Sequence, residues 1–308
     1  MKYNNIKGSF ILLTAAFLWG MAFVAQGLLA ESVPPFAINF LRSYIAVIFL
    51  LGFIFIRDFK SKIPLFPREK PDRKKLLTTG LFCGIAMWAA TNLQQFGIGL
   101  YPKGVPSEAR AGFLTALYVI LVPAAMIFFK RRVHITVWLA VIISIVGIYI
   151  LCASEGFSGI YLSDILIILS AVAFTTQILI VDMLGADLDG VKLSLLQFFV
   201  CGTISLLTSL ILEQNTFTLS GVIDGILPLL YLGIVSSGIA YTLQIVGQKY
   251  ANPAVASIVM SLESVFAALG GLMFGKTLAP HEIIGCSIMF AAIIIAQISD
   301  FLPKKVRA

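Results

Sequence analysis

Residues 9–29 read SFILLTAAFLWGMAFVAQGLL, a stretch without one ionisable side chain. As a helix rising 1.5 Å per residue, it covers about 30 Å, the thickness of a bilayer's hydrocarbon core. A cleaved leader has an apolar stretch of only about 7–15 residues. The run after Lys2 and Lys7 is therefore read as a retained first span. Nine further apolar runs follow, at 36–56, 76–100, 108–129, 134–152, 161–183, 191–212, 222–247, 253–275 and 281–299. None alternates strictly between apolar and polar residues, as an outer-membrane strand would. Backbone groups in lipid must be satisfied within the segment, which favours helices. The pattern predicts an all-α polytopic membrane protein with ten transmembrane helices.

Composition agrees. Of 308 residues, 59% are hydrophobic and 12% charged, with a mean hydropathy of +0.98. Soluble domains run at about 45–50% apolar and about 25% charged. Disorder, collagen, coiled coil and secreted disulfide scaffolds are excluded on the same grounds. Cys83, Cys152, Cys201 and Cys286 lie in or at the ends of apolar runs without a CxxC pair, so they read as small buried hydrophobes. The net charge of +7 does not indicate nucleic acid. The bases sit in short segments between apolar runs, which is the pattern of topology signals.

Eighteen of the 22 Lys and Arg fall in segments 1–8, 57–75, 130–133, 184–192, 248–252 and 300–308. These segments share one side if the ten runs cross in turn. Lys103, Arg110 and Lys276 lie on the other side, and Arg42 lies within a span. The positive-inside rule then places both termini in the cytoplasm.

The halves 1–153 and 154–308 resemble each other weakly. Ala22, Phe23 and Gln26 match Ala173, Phe174 and Gln177. Leu93, Gln94 and Gly97 match Leu243, Gln244 and Gly247, and Leu117 and Phe129 match Leu262 and Phe274. Five spans per copy is odd, so the second copy enters the membrane in the opposite sense. Two inverted five-helix repeats are expected, with a small-molecule site near the midplane where they meet.

Ionisable residues deep in a span are costly and mark function by default. Glu263 is central in its run, and its repeat counterpart is Tyr118. Glu263 either carries a coupling proton and contacts substrate, or makes a structural bond between helices. Arg42 lies about 9 Å into its span by helical rise, opposite Gln197 in the repeat. It either meets substrate or holds helices together through its long cationic side chain. Trp88, Asn92 and Gln95 share one helical face, with Gln94 turned about 100° away. Tyr241, Gln244 and Gln248 share another. Such amides and rings line a cavity or join packed helices. Gln177 belongs with them through the repeat, and Trp19 sits mid-span, away from the interfaces. Gly80-xxx-Gly84 and Gly271-xxx-Gly275 have the spacing of close helix contacts, and Pro123 predicts a kink in the fourth span.

No HExxH, GxSxG, P-loop or GxGxxG occurs, so no cofactor is expected and transport would be facilitated or coupled to an ion or proton. No filter-like sequence favours a selective channel.

Several strings resemble the EamA-type branch of the drug/metabolite transporter superfamily. Ala16 through Phe23 is similar to its A-x-x-W-G-x-x-F opening. Asn39-Phe40-Leu41-Arg42 resembles its second span, and Leu93 through Gly97 with Ala111 through Pro123 its third and fourth. Ser261 through Ala267 resembles S-L-E-P-V-F-A, with Ser264 where the family has Pro. The resemblance implies a bacterial inner-membrane location and a cavity lined by spans 1, 3, 4, 6, 8 and 9. It also implies transport, usually export, of small metabolites such as amino acids across the lipid bilayer. Trp19, Arg42, Gln94, Tyr118 and Glu263 are carried over as motif positions. Two rival readings are a membrane-embedded enzyme acting on a hydrophobic or lipid-linked substrate, and a receptor or scaffold without flux. The enzyme needs more clustered acid, base or metal ligands than Glu263 and Arg42 supply.

Overall fold

In a computed structural model, residues 5–59, 64–102, 107–131, 133–152, 161–273 and 280–301 are described. Among them there is no strand. The first half contains α1 (Asn5–Ala30), α2 (Pro35–Phe59), α3 (Lys70–Gly99), α4 (Ser107–Thr115), α5 (Tyr118–Phe128) and α6 (Ile135–Cys152). The second contains α7 (Leu162–Leu184), α8 (Gly190–Leu212), α9 (Leu219–Asp224), α10 (Ile226–Leu230), a π-helical segment (Tyr231–Ala240) and α11 (Tyr241–Gln248). It ends with α12 (Pro253–Met260), α13 (Glu263–Met273) and α14 (Pro280–Phe301).

Seven helices are long and apolar enough to cross a membrane: Ile6–Ala30, Pro35–Phe59, Lys70–Gly99, Arg110–Phe128, Leu162–Leu184, Gly190–Leu212 and Ile226–Gln248. Three shorter apolar helices, Ile135–Gly147, Pro253–Ala267 and Ile283–Ala292, fall in the remaining three runs. Large apolar side chains such as Phe10, Ile48, Phe55, Ile56, Leu210 and Ile211 lie exposed on the outside of the bundle. Water would not tolerate so much apolar surface, and hydrocarbon does. The chain is a multi-pass helical membrane protein.

Local chemistry fixes the helix ends. Asp189 caps α8, its carboxylate accepting from the N–H groups of Val191 at 2.9 Å and Lys192 at 3.2 Å. Asn252 caps α12, with Pro253 at the first helical position. The α2 terminus is capped from another helix. Glu213, just past α8, accepts from Phe36 N–H and Ala37 N–H, both at 2.8 Å, and from the Ser209 hydroxyl at 2.9 Å. This buried carboxylate neutralises the positive end of the α2 dipole and ties α2 to α8.

Helix contacts follow a regular scheme. α6 packs on α14, and α2 on α8. α3 lies against α7 and α8, while α1 lies against the π segment, α11, α12 and α13. Small residues allow the closest crossings. A Cβ on Gly84 would stand 2.5 Å from Val200 Cβ, and one on Gly80 2.6 Å from Leu196 Cβ, so this pair seats α3 on α8 as its spacing predicted. Gly275, and the side-chain position at Gly271, lie outside the described residues. So do the side chains of Cys152 and Cys286, whereas Cys83 and Cys201 are free and buried.

Two membrane helices are interrupted. The α-helical ladder tightens into a turn at Ala116-Leu117, between α4 and α5, and at Ser261-Leu262, between α12 and α13. Leu117 N–H bonds Leu114 O and Leu262 N–H bonds Val259 O, three residues back and both at 3.3 Å, while Leu117 and Ser261 keep right-handed helical backbone angles. Pro123 lies inside the continuous α5, and the break comes six residues earlier. At the second break three serine hydroxyls turn back on the backbone: Ser257 to Ala254 O, Ser261 to Ile258 O and Ser264 to Ser261 O, at 2.8–2.9 Å. Such bonds compete with the helix ladder and bend it, so the break forms without the proline of the family pattern.

Candidate functional site: a polar cavity between broken helices

The two interruptions face each other. Tyr118 opens α5 and Glu263 opens α13, and the Tyr118 hydroxyl donates to Glu263 Oε1 at 2.9 Å. Both are buried, Glu263 at 5% exposure. They line a small cavity together with Trp19, Gln26, Arg42, Gln94, Thr115, Ser236, Tyr241 and Gln244. Phe23, Phe174, Ile178 and Met260 complete its apolar wall. Its volume is about 40 Å³, room for a few waters and far short of an organic substrate.

Arg42 reaches the cavity from α2 at 3% exposure. Its Nε donates to Ser237 Oγ and its Nη2 to Ser236 Oγ, each at 3.0 Å. The π segment makes this possible. A Cβ on Gly233 would stand 2.4 Å from Ile45 Cγ2, and one on Gly238 2.7 Å from Phe49 Cδ1, so these glycines press the segment onto α2. The wider π turn brings two consecutive serines to one guanidinium, a local distortion often found at functional sites. Ser236 O also accepts from Trp19 Nε1 at 3.4 Å, and the Trp19 ring lies 4.6 Å from that of Tyr241.

Amide pairs flank the cavity. Gln26 Nε2 donates to Gln94 Oε1 at 3.1 Å, joining α1 to α3. Gln244 Nε2 donates to Gln177 Oε1 at 2.9 Å, joining α11 to α7. The four residues are the two matched sets of the sequence halves. The matched glycines behave alike too. A Cβ on Gly97 would meet Ile167 at 2.4 Å, and one on Gly247 would meet Leu12 at 2.8 Å.

Trp19, Arg42, Gln94, Tyr118, Tyr241, Gln244 and Glu263 of the expected site thus share one cavity. Four expected residues do not line it. Gln177 stands behind Gln244 and donates to Gln197 Oε1 at 3.1 Å. Gln95 stands behind Gln26, donating to its carbonyl at 3.2 Å. Asn92 joins α3 to its neighbours, donating to Ser205 Oγ and accepting from Asn39 Nδ2, both at 3.1 Å. Trp88 packs against the main core, and its Nε1 finds no partner there. Helical periodicity puts Trp88, Asn92 and Gln95 on one face of α3, and the match between the halves adds Gln177, but neither tells which part of a face opens onto the cavity. Gln26, Thr115, Ser236 and Ser237 were missed as site residues. Gln26 was visible as the repeat partner of Gln177, and the serines as a pair bracketed by Gly233 and Gly238.

Ion pairs close both ends of the seam between α4/α5 and α7. At one end Arg110 grips Asp164 with Nε at 2.6 Å and Nη2 at 2.7 Å, and the Tyr101 hydroxyl donates to the same carboxylate at 2.7 Å. At the other end Arg131 pairs with Asp182. A second seam, between α1 and α12/α13, is held by close packing instead. A Cβ on Gly20 would stand 2.5 Å from Phe266 Cβ. At the end where α1 begins, Arg57 bridges Asp58 and Asp189, and Lys75 binds Asp187 at 2.7 Å. That lysine holds the Asp187 carboxyl below the usual carboxylate range.

Buried ionisable and amide side chains gathered around one cavity in a many-helix membrane protein are the arrangement expected of a membrane carrier. The profile of the EamA-like transporter family matches residues 6–153 and again residues 161–297, and the chain belongs to that family. An uncharacterized transporter of Archaeoglobus fulgidus is 27% identical over 298 residues, covering 93% of this chain and 84% of that protein. An uncharacterized transporter of Clostridium kluyveri is 25% identical over 311 residues, covering 96% and 93%. A solved crystal structure, described only as that of a protein, has the same fold. Its TM-score is 0.75 at 16% identity, over 95% of this chain and 96% of the other.

Proposed function

We propose that this protein is a secondary transporter of a bacterial inner membrane that exports small organic metabolites such as amino acids by alternating access. The reading assigns ten spans, two inverted repeats (1–153 and 154–308) and cytoplasmic termini. The observation that carries it is the Tyr118–Glu263 contact, where the two broken helices meet inside the cavity. Matched breaks, matched glutamine pairs, matched glycines and the doubled family match support two equivalent halves.

The cavity is too small for a metabolite, so transport requires it to open toward each side in turn. The α4/α5–α7 seam supplies the closures. On the assigned topology Arg110–Asp164 closes the outside and Arg131–Asp182 the inside. Glu263 is the coupling group: a buried carboxylic acid that can exchange a proton when the cavity opens.

The test is flux in proteoliposomes holding the full chain, with a panel of amino acids and small metabolites and with and without a proton gradient. Glu263→Gln should abolish the dependence of flux on the gradient. Unchanged flux and unchanged pH dependence in that variant would remove the coupling role. A panel without any flux would remove the metabolite-transporter reading.

A further inference from the structure

Arg42 is a buried cation without a counter-charge. Its hydrogen bonds go to two neutral hydroxyls, Ser236 and Ser237, and among the described residues no carboxylate lies within ion-pair distance of it. Glu263 lines the same cavity from α13 but spends its carboxylate on Tyr118. A buried charge is costly unless paired, so an unpaired guanidinium facing a cavity calls for an anion from outside the chain. The planar fork of Arg suits a carboxylate, which it grips through two parallel N–H bonds.

A second residue that lines the same space carries a buried, unpartnered polar atom. Gln244 is 2% exposed, and its Nε2 is used on Gln177, but its Oε1 has no partner. That oxygen accepts an N–H or O–H. The Tyr241 and Trp19 rings, 4.6 Å apart and tilted by 56°, add apolar surface to the same wall.

We infer that Arg42 is the carboxylate anchor of the transport site and Gln244 an acceptor for a donor on the same molecule. The substrate class is then small carboxylic acids that also carry an N–H or O–H group. The two serines hold the guanidinium in place. This inference rests on the transporter reading and adds to it the chemical group that is recognised.

The experiment uses proteoliposomes with the full chain and matched sets of compounds: amino acids, the corresponding hydroxy acids, amino-acid amides and decarboxylated amines. Wild-type protein should carry members of the first two sets and discriminate against the amides and amines by roughly 10–100-fold, the range of a hydrogen-bonded charge contact. Arg42→Gln should erase that preference, and Arg42→Lys should keep part of it. The wild-type comparison stands even if a variant fails to assemble. Equal flux of acids and amides in the wild type would overturn the anchor and leave the transporter reading intact. So would an undiminished acid preference in a folded Arg42→Gln protein. Absence of flux for every compound would remove both.

Discussion

At the residue scale, the cavity is lined by one acid and one base, and each bonds to a different neutral partner. Glu263 bonds to a phenol and Arg42 to hydroxyls. Had the two paired with each other, the charges would cancel and neither would be available for exchange. Tyr118 separates the roles experimentally. Tyr118→Phe leaves the carboxylic acid in place, so gradient-dependent flux should persist at about one-tenth of the wild-type rate, the cost of one hydrogen bond to an ionisable group. Loss of the gradient dependence itself in Tyr118→Phe would show that the phenol, and not the acid alone, carries the coupling. The depth of Glu263 and Arg42 was legible in the sequence because charges are so rare in these runs. Their partners were not. Ser236 and Ser237 reach Arg42 only because a π turn and two glycines bring that segment against α2.

At the element scale, the two seams differ in how they are held. Ion pairs at the ends of α4/α5 and α7 can break and re-form with water present, while the glycine contact of α1 on α13 is a close apolar one. The two ion pairs therefore have opposite expected effects. Asp164→Asn should increase labelling of a single cavity cysteine by a membrane-impermeant thiol reagent from outside. Asp182→Asn should increase it from inside. Equal labelling from both sides in both variants would sink the assignment of these pairs to closures. The Glu213 cap is a separate matter of stability. Glu213→Ala leaves the α2 N–H groups of Phe36 and Ala37 without their carboxylate. The loss of a cap costs about 1–2 kcal/mol, read as a thermal midpoint a few degrees lower in detergent, with a normal elution profile. Glu213 lies at the end of an apolar run, and nothing in its neighbours announces a bond to a helix begun far upstream.

At the scale of the whole molecule, topology is the quantity to measure. Single cysteines placed at Lys130 and Lys249 should react from the cytoplasmic side, and ones at Lys103 and Lys276 from the opposite side. Reaction of all four from one side would refute the ten-span assignment. The sequence by itself determined the membrane class, the helical architecture and the short list of buried charges. Those follow from composition and run length, which depend only on what each residue costs to place in hydrocarbon. Only the tertiary structure decided which of the inward-facing polar groups share a cavity. Trp19, Gln94 and Gln244 do, whereas Trp88, Asn92, Gln95 and Gln177 serve the helix contacts behind it. Periodicity assigns a residue to a face of its helix, but the crossing of neighbouring helices decides where that face opens onto space and where it meets another side chain. The break at Ser261-Leu262 belongs to the same category, since serines bend a helix only where packing holds their hydroxyls on the backbone.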